Sequence, residues 1–418
     1  MTGYQRSQMS TLLSRLREKP LRLTIMTGPR QTGKTTLIRQ VLAQLDRPYH
    51  YVAVDEPDSS ILPIIPEFTG QPSVGRGGVR DVNWLVRQWE RARMAAKRSD
   101  RGLVLALDEI QKVPDWSEAV KGLWDTDRFT DCPLHVILSG SAPLLMQQGM
   151  GESLAGRFET IPVTHWSFSE MSAAFGFDLQ HYIYFGGYPG GVPYIQEQSR
   201  WRAYVNTALI EPIIERDILA MQRVDKPALL KQLFQLGAEY SGQILSFNKM
   251  LGQLQDAGNT TTLARYLDLL SKAGLITGIL KYASQAHRRR SSSPKLNVLN
   301  TALMTAASEY SFEAAKADRS QWGRLVESAV GAHLFNTGMP ECRLHYWREN
   351  GSEVDFVLKR GRKLVGFEVK SGVRRPRTRG LEQFAGRFDG LTAHIVGEGG
   401  IPIPEFLSIP ATEWLDDK

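Results

Sequence analysis

Between Leu21 and about Thr164, short and nearly unbroken apolar runs alternate with stretches whose apolar residues recur at helical spacing. That alternation is the pattern of an α/β fold, a parallel sheet flanked by helices. The runs RLTIMTG, YHYVAV, LVLALDE, LHVILSG and FETIPVTH predict the strands, and their continuous apolar character suits strands buried on both faces. A Pro/Gly-rich stretch from Glu56 to Gly78 predicts a surface loop, and a helix is expected around Trp84 to Lys97.

From Phe168 to about Tyr282 the pattern becomes mainly helical, punctuated by GGYPGGVP from Gly186 to Pro193, which suits either a hinge or ordinary turn chemistry. Its last part, NTTTLARYLDLLSKAGLITGILKY, predicts a helix from about Thr261, a stop at Gly274 and a strand. A helix ending in a short strand pair is what a winged-helix module presents. Beyond Leu296 a helix near Trp322 to Phe335 precedes strands HYWRE, SEVDFVLKR and KLVGFEVKS, then a helix LEQFAGRF and a strand AHIVG. The expected domains are 1–166 as a parallel α/β core, 167–295 as a helical and winged-helix-like region, and 296–418 as a small α/β domain.

Composition changes this picture in few respects. The 418 residues exceed what one core usually organises, and 42% hydrophobic with 23% charged residues is ordinary for a globular protein. The formal charge of +7 leans toward polyanionic partners such as nucleic acid or an anionic membrane surface. The cysteines, Cys132 and Cys342, stand far apart and outside any C-x-x-C spacing, so neither a disulfide framework nor a zinc site is indicated. The N-terminal MTGYQRSQMS lacks an apolar segment and no run is long enough for a membrane span, so a cytoplasmic protein without membrane partners is expected.

The most specific chemistry follows the first strand. Gly28, Pro29, Arg30, Gln31, Thr32, Gly33, Lys34, Thr35 and Thr36 match G-x-x-x-x-G-K-[ST] in the strand-to-helix context that motif requires. The glycines let the backbone curl so that amide groups and a helix N-terminus face phosphates. Lys34 is placed for the β and γ phosphates of ATP, and Thr35 for a magnesium ion. The third strand ends in Asp108 and Glu109, a Walker B pattern: Asp108 would hold magnesium and Glu109 would polarise the attacking water. Ser139, in Ser139-Gly140-Ser141 after the fourth strand, suits a γ-phosphate sensor, although either serine equally suits a helix N-cap. Arg157, in SLAGRF, is an arginine finger for a neighbouring subunit, a sensor in its own chain, or a solvated loop arginine.

On GPRQTGKTT, LALDEIQ, ILSGS, SLAGR, GGYPG, ERDI at Glu215 to Ile218, TTLARYLDLLSKAGLI, EVDFVL and FEVKSG, the chain resembles the prokaryotic AAA-type ATPases that carry a C-terminal domain of unknown function. The resemblance covers nearly the whole length. It implies an AAA-type P-loop core, a winged-helix-like middle and a nuclease-like C-terminal fold. A homo-oligomer is expected from it, with Arg157 as the residue that would act across the interface.

In the C-terminal part, Asp355 in SEVDFVLK is followed by Glu368-Val369-Lys370 on the next strand, a pattern similar to the PD-(D/E)XK nucleases, a restriction-endonuclease-like fold. Glu368 and Lys370 share one strand face. Asp355 and Glu368 would be ligands for Mg2+ or Mn2+ and Lys370 the cation near the developing charge. Glu327, on the preceding helix, is a third ligand or a solvated helix residue. Alternating charged and apolar residues also describe any half-exposed strand pair, so a domain that binds DNA or protein without cutting stands beside the metal-dependent nuclease.

Basic residues gather nearby, with nine Lys or Arg against Glu368 as the single acid from Lys359 to Arg379, and HRRR from His287 to Arg290. Such runs neutralise phosphates with little sequence information, which makes DNA the favoured partner and leaves RNA open. His165, His181, His287, His333 and His345 show no metal-ligand spacing. Two readings result: an ATP-driven, DNA-acting protein whose nucleotide state repositions a nuclease, or a regulatory ATPase switch that only binds.

Overall fold

The computed structural model describes residues 3–55, 80–141, 146, 150–151, 153–219, 224–256, 258–283, 292–372, 379–388 and 391–416. The expected loop at 56–78, the HRRR run and Arg374, Arg375 and Arg377 lie outside them. The chain divides into two compact units, residues 3–163 and residues 164–418.

In the first unit, helix α1 (Gln8–Arg17) precedes β1 (Leu23–Thr27), α2 (Lys34–Gln44), β2 (Tyr49–Ala53), α3 (Val82–Arg98), β3 (Leu103–Asp108), α4 (Trp116–Phe129), β4 (Leu134–Ser139) and β5 (Phe158–Pro162). The strands form one sheet in the order β2-β3-β4-β1-β5, and every pairing is parallel. All five expected strands are present.

The period of two explains why these strands are apolar throughout. Leu103, Leu105 and Leu107 of β3, with Leu134, Val136 and Leu138 of β4, pack against Trp84, Leu85 and Trp89 of α3 and Trp116, Val120 and Trp124 of α4. Val104, Ala106 and Ile137 point the other way, toward Leu12 and Leu16 of α1 and Leu37, Ile38 and Val41 of α2. Each fully buried large apolar side chain contributes about 1.5–3 kcal/mol. Asp81 caps α3 by accepting from the amide of Trp84 at 2.8 Å, which sets its start two residues earlier than the apolar periodicity suggests.

In the second unit, α5 (Phe168–Phe175), α6 (Leu179–Phe185) and α7 (Gln198–Tyr204) lead through π-helical turns at Val205–Ile210 and Ile213–Ile218 into α8 (Pro227–Glu239), α9 (Phe247–Gln253) and α10 (Thr260–Lys272). Strands β6 (Ile276–Lys281) and β7 (Lys295–Val298) follow, then α11 (Phe312–Ala317), α12 (Arg319–Gly338), β8 (Arg343–Glu349), β9 (Ser352–Arg360), β10 (Lys363–Lys370), α13 (Arg379–Ala385) and β11 (Thr392–Gly397). Asn259 caps α10 through the amide of Thr262 at 2.8 Å, and Gly274 ends it at φ 81°, where a residue without Cβ is favoured.

The expected division after residue 295 falls inside β7. Strand β6 pairs antiparallel with β7 on one side and parallel with β8 on the other, giving a six-stranded sheet β11-β10-β9-β8-β6-β7 that joins the expected middle and C-terminal regions. The physical reason is that a two-stranded hairpin leaves a row of amides and carbonyls unpaired along its outer edge, and β8 takes them up.

Candidate functional site

The candidate site of the first unit lies at the C-terminal ends of β1, β3 and β4, where ligands bind in open parallel sheets. The loop between β1 and α2 is shaped by its glycines. A Cβ at Gly28 would come 2.0 Å from the carbonyl oxygen of Val163, and Gly33 starts α2 from a left-handed φ of 87°. Thr32 Oγ1 donates to the Pro29 carbonyl at 3.0 Å and Arg6 donates to the Thr32 carbonyl at 2.9 Å, holding the curl from outside. Pro29 itself has no amide to offer a phosphate. The Lys34 ammonium donates to the carbonyls of Gly28 and Pro29 at 2.8 and 2.7 Å. Arg30, Gln31 and Thr36 complete the loop and the first turn of α2, with Gln31 at a left-handed φ of 61°.

Because β4 lies between β3 and β1 in the sheet, Ser139 at its end is interposed between Asp108 and the phosphate loop. Every oxygen of Asp108 is engaged. Oδ2 accepts from Thr35 Oγ1 at 2.6 Å and from the Tyr51 hydroxyl at 2.9 Å, while Oδ1 accepts from Ser139 Oγ and from the Glu109 amide. Burial first, and then the charge of Asp108, push the Tyr51 phenol above its ordinary range, so it stays a donor. Glu109 sits at a left-handed φ of 60°, uncommon for a residue with a side chain, and its Oε2 accepts from Gln111 Nε2 at 2.6 Å and Ser141 Oγ at 2.8 Å. Thr35 and Asp108 together present a hydroxyl and a carboxylate that fit a magnesium ion.

Thr35, Asp108, Glu109 and Ser139 are thus drawn into one hydrogen-bonded group, with the Lys34 ammonium held by the loop carbonyls. Tyr51 and Gln111 belong to it and the sequence reading missed both; Tyr51 sits in a predicted strand, and only the pairing of β2 with β3 brings it to Asp108. Arg157 is placed elsewhere: it forms a two-pronged ion pair with Asp125 of α4, Nε to Oδ1 at 2.7 Å and Nη2 to Oδ2 at 2.9 Å.

The second constellation also converges. Strands β9 and β10 are antiparallel with Phe356 opposite Phe367. Beside that pair Asp355 Oδ2 accepts the Val369 amide at 2.8 Å, and Lys370 Nζ lies 2.5 Å from Glu368 Oε1 on the same face. Glu368 Oε2 is buried and has no hydrogen-bond partner among the described residues.

A second lysine enters this group. Lys295 of β7 is 0% exposed, with Nζ 2.6 Å from Glu327 Oε1, 3.3 Å from Asp355 Oδ1 and 3.9 Å from Glu353 Oε1. Burial alone would lower its pKa, but Asp355 and Glu327 outweigh that and hold the ammonium above the ordinary lysine range. Burial, with the Asp355 charge next, raises Glu327 to about 7 and Glu368 to about 7. Glu327 Oε1 and Asp355 Oδ1, which would have to approach a divalent ion at about 2.0–2.6 Å, already face the Lys295 ammonium, and Glu368 Oε1 faces that of Lys370. These residues do not fit a divalent ion in this arrangement, and no cutting step follows from them. Among the described residues no group of three or more His, Cys, Asp or Glu is arranged to hold a metal.

Three of the histidines serve the frame. His165 Nε2 lies 2.8 Å from the Gly274 carbonyl, His333 Nε2 2.8 Å from that of Ile409, and His345 Nδ1 3.3 Å from that of Leu280. Among the described residues no helix is long and apolar enough to cross a membrane.

Comparison with known families matches residues 21–172 to an AAA domain, residues 176–314 to a domain of unknown function (DUF8612) and residues 322–403 to another (DUF4143). The chain is 26% identical over 354 residues to the uncharacterized protein Rv2008c of Mycobacterium tuberculosis and likewise to Mb2031c of Mycobacterium bovis, covering 83% of this chain and 70% of each relative. Among solved structures, the Walker-type ATPase PABY2304 of Pyrococcus abyssi is similar with a TM-score of 0.45 and 17% identity, over 73% of this chain and 95% of that one. The match to the AAA domain covers most of the first unit.

Proposed function

We propose that this protein is an ATP-hydrolysing switch whose second unit engages DNA without cutting it. The observation that carries the ATPase part is the 2.6 Å bond between Thr35 Oγ1 and Asp108 Oδ2, two residues 73 apart in sequence whose oxygens must meet for P-loop chemistry.

On ATP binding the Lys34 ammonium exchanges the carbonyls of Gly28 and Pro29 for β- and γ-phosphate oxygens, while amides of the loop and the start of α2 face the phosphates. Thr35 and Asp108 would hold magnesium, which when bound neutralises charge on those oxygens. Glu109, fixed by Gln111 and Ser141, orients and polarises the attacking water. Ser139, bonded to Asp108 beside the loop, is the group placed to respond to the γ-phosphate. Lys34→Ala is expected to abolish ATP binding, whereas Glu109→Gln is expected to bind ATP and not turn it over. Normal turnover in Glu109→Gln would overturn this assignment.

Three observations support DNA as partner. The order α8, α9, α10, β6, β7, with an isolated bridge between Ile244 and Lys295, supports a winged-helix reading. The chain has a basic excess of +7, and it concentrates nine basic residues between 359 and 379. The nuclease reading is set behind the binding one because Lys295 takes the place a metal would need. Assembly into a homo-oligomer remains part of the proposal. Arg157 could serve a neighbouring subunit only by leaving Asp125, and an exposed, solvent-screened pair of this kind is readily exchanged. Sedimentation of wild type and of Glu109→Gln with ATP tests this; a wild-type monomer with full turnover would exclude it.

A further inference from the structure

We propose that Lys295 is the resident cation of the acidic pocket formed by Glu327, Glu353 and Asp355, and that the second unit holds no divalent ion there while Lys295 is in place. The inference stands on the second unit alone and does not depend on the ATPase reading.

The pocket is assembled from three parts of the chain: β7 brings Lys295, α12 brings Glu327, and β9 brings Glu353 and Asp355. The ammonium donates to Glu327 Oε1 at 2.6 Å, to Asp355 Oδ1 at 3.3 Å and to the Asp355 backbone carbonyl at 3.3 Å. Its Nζ also lies 4.8 Å from the centroid of the Phe356 ring, within cation–π reach. An ammonium has three donors, and these oxygens take them. The lysine is fully enclosed, so making room for a metal means displacing the side chains packed around it.

The remaining oxygens are also committed or badly placed for a metal. Asp355 Oδ2 accepts the Val369 amide, and Glu368 Oε1 is held by Lys370. Among the described residues Glu368 Oε2 is the buried oxygen of this group without a hydrogen-bond partner, and a single carboxylate oxygen leaves a hard divalent ion to find nearly all of its about six oxygen ligands elsewhere. A buried carboxylate cluster takes up protons or carries a counter-charge. Here the chain supplies it covalently, which closes the geometry that two carboxylates and a lysine on β9 and β10 would otherwise offer to a metal.

The test is titration of Mn2+ into the full-length protein without nucleotide, read by water-proton relaxation and calorimetry. Wild type is compared with Asp355→Asn, Lys295→Met and the Lys295→Met/Asp355→Asn double variant. Binding at the P-loop is common to all four and cancels. Expected is no Asp355-dependent binding in wild type up to millimolar Mn2+, and in Lys295→Met a new site, at least about tenfold tighter, that disappears in the double variant. Asp355-dependent Mn2+ binding by wild type overturns the proposal, as does a Lys295→Met protein with native circular dichroism and no new site. Should Lys295→Met fail to fold, the wild-type and Asp355→Asn titrations still decide it, because Asp355-dependent binding alone refutes the resident-cation assignment.

Discussion

The Tyr51 hydroxyl lies 2.9 Å from Asp108 Oδ2, so the carboxylate at the end of β3 is held by a phenol from the neighbouring edge strand as well as by Thr35. Arg39 stacks on the same ring, 5.0 Å from its centroid. Tyr51→Phe removes one neutral donor to a charged acceptor while keeping the ring and its stacking. We expect a loss of about 1–2 kcal/mol at this contact, read as a roughly 5- to 30-fold fall in kcat/KM for ATP. Unchanged kinetics across a magnesium titration would show that Tyr51 does not position Asp108.

Gln111 and Ser141 both donate to Glu109 Oε2, and Glu109 itself occupies a left-handed backbone conformation. Such strain persists where the surroundings over-determine it. Glu109→Gln is expected to lower kcat by about 10²- to 10⁴-fold, with nucleotide affinity kept. Gln111→Ala should act in the same direction and less strongly, because Ser141 still holds the carboxylate. If Gln111→Ala instead raised kcat, the glutamine would be restraining Glu109 rather than aiming it; steady-state turnover distinguishes the two.

A buried ion pair joins α3 to α4. Arg93 Nε lies 2.5 Å from Asp127 Oδ1, Trp89 Nε1 donates to Oδ2 at 2.7 Å, and Arg93 Nη2 reaches the Leu123 carbonyl at 3.1 Å. Asp127→Ala leaves a guanidinium and an indole N–H without their acceptor inside the unit. The expected cost is about 3–5 kcal/mol, measured by urea unfolding of the full chain. A loss below about 0.5 kcal/mol, the range of ordinary surface substitutions, would mean that Glu90 and the Leu123 carbonyl suffice.

Each unit also encloses a histidine that resists protonation. Burial lowers His135 to about 4, with Arg47 and Arg128 adding to the effect, and lowers His333 to about 4. His333 Nε2 faces the Ile409 carbonyl and Nδ1 has no partner among the described residues, so a second ring proton would find no acceptor. With the folded pKa below the unfolded one, the unfolded chain takes up the proton first. The stabilisation is complete above about pH 6.5 and declines as pH falls toward 4, by at most about 3 kcal/mol for each ring. Chemical denaturation at pH 7.5, 6 and 5 should show this decline, and a flatter one in His333→Gln. An equal slope in that variant would assign the acid sensitivity elsewhere.

For DNA, substituting Arg374, Arg375, Arg377 and Arg379 by glutamine should weaken binding to all sequences alike and lower the salt slope of log K by up to about 3–4, since each phosphate contact contributes about 0.9. Anisotropy of labelled duplexes at several salt concentrations measures it. Unchanged affinity and slope would remove this run from the proposed interface.

Much of the first unit was legible because its signals are local. Five apolar runs, the glycine spacing of the loop, and Asp108-Glu109 after a strand are set by the alternation of buried faces and by turn chemistry within a few residues. Lys34 and Thr35 were bound to sit at the helix start, since the loop and the helix are contiguous in sequence. The chain by itself likewise put Glu368 and Lys370 on one face of β10, because side chains two apart on a strand must share a face.

What only the tertiary structure decided are the partners brought from elsewhere in the chain. Tyr51 reaches Asp108 through strand pairing between β2 and β3, and Lys295 reaches Glu327 and Asp355 from a strand that the expected domain boundary cuts. Neither has a local signature: a tyrosine in a strand and a lysine among apolar residues are unremarkable until register and packing are known. Sequence fixes which way a side chain leaves the backbone, through a period of two or 3.6. Which charge it meets depends on contacts across tens of residues, and that separates a carboxylate set open to a metal from one already closed by an ammonium.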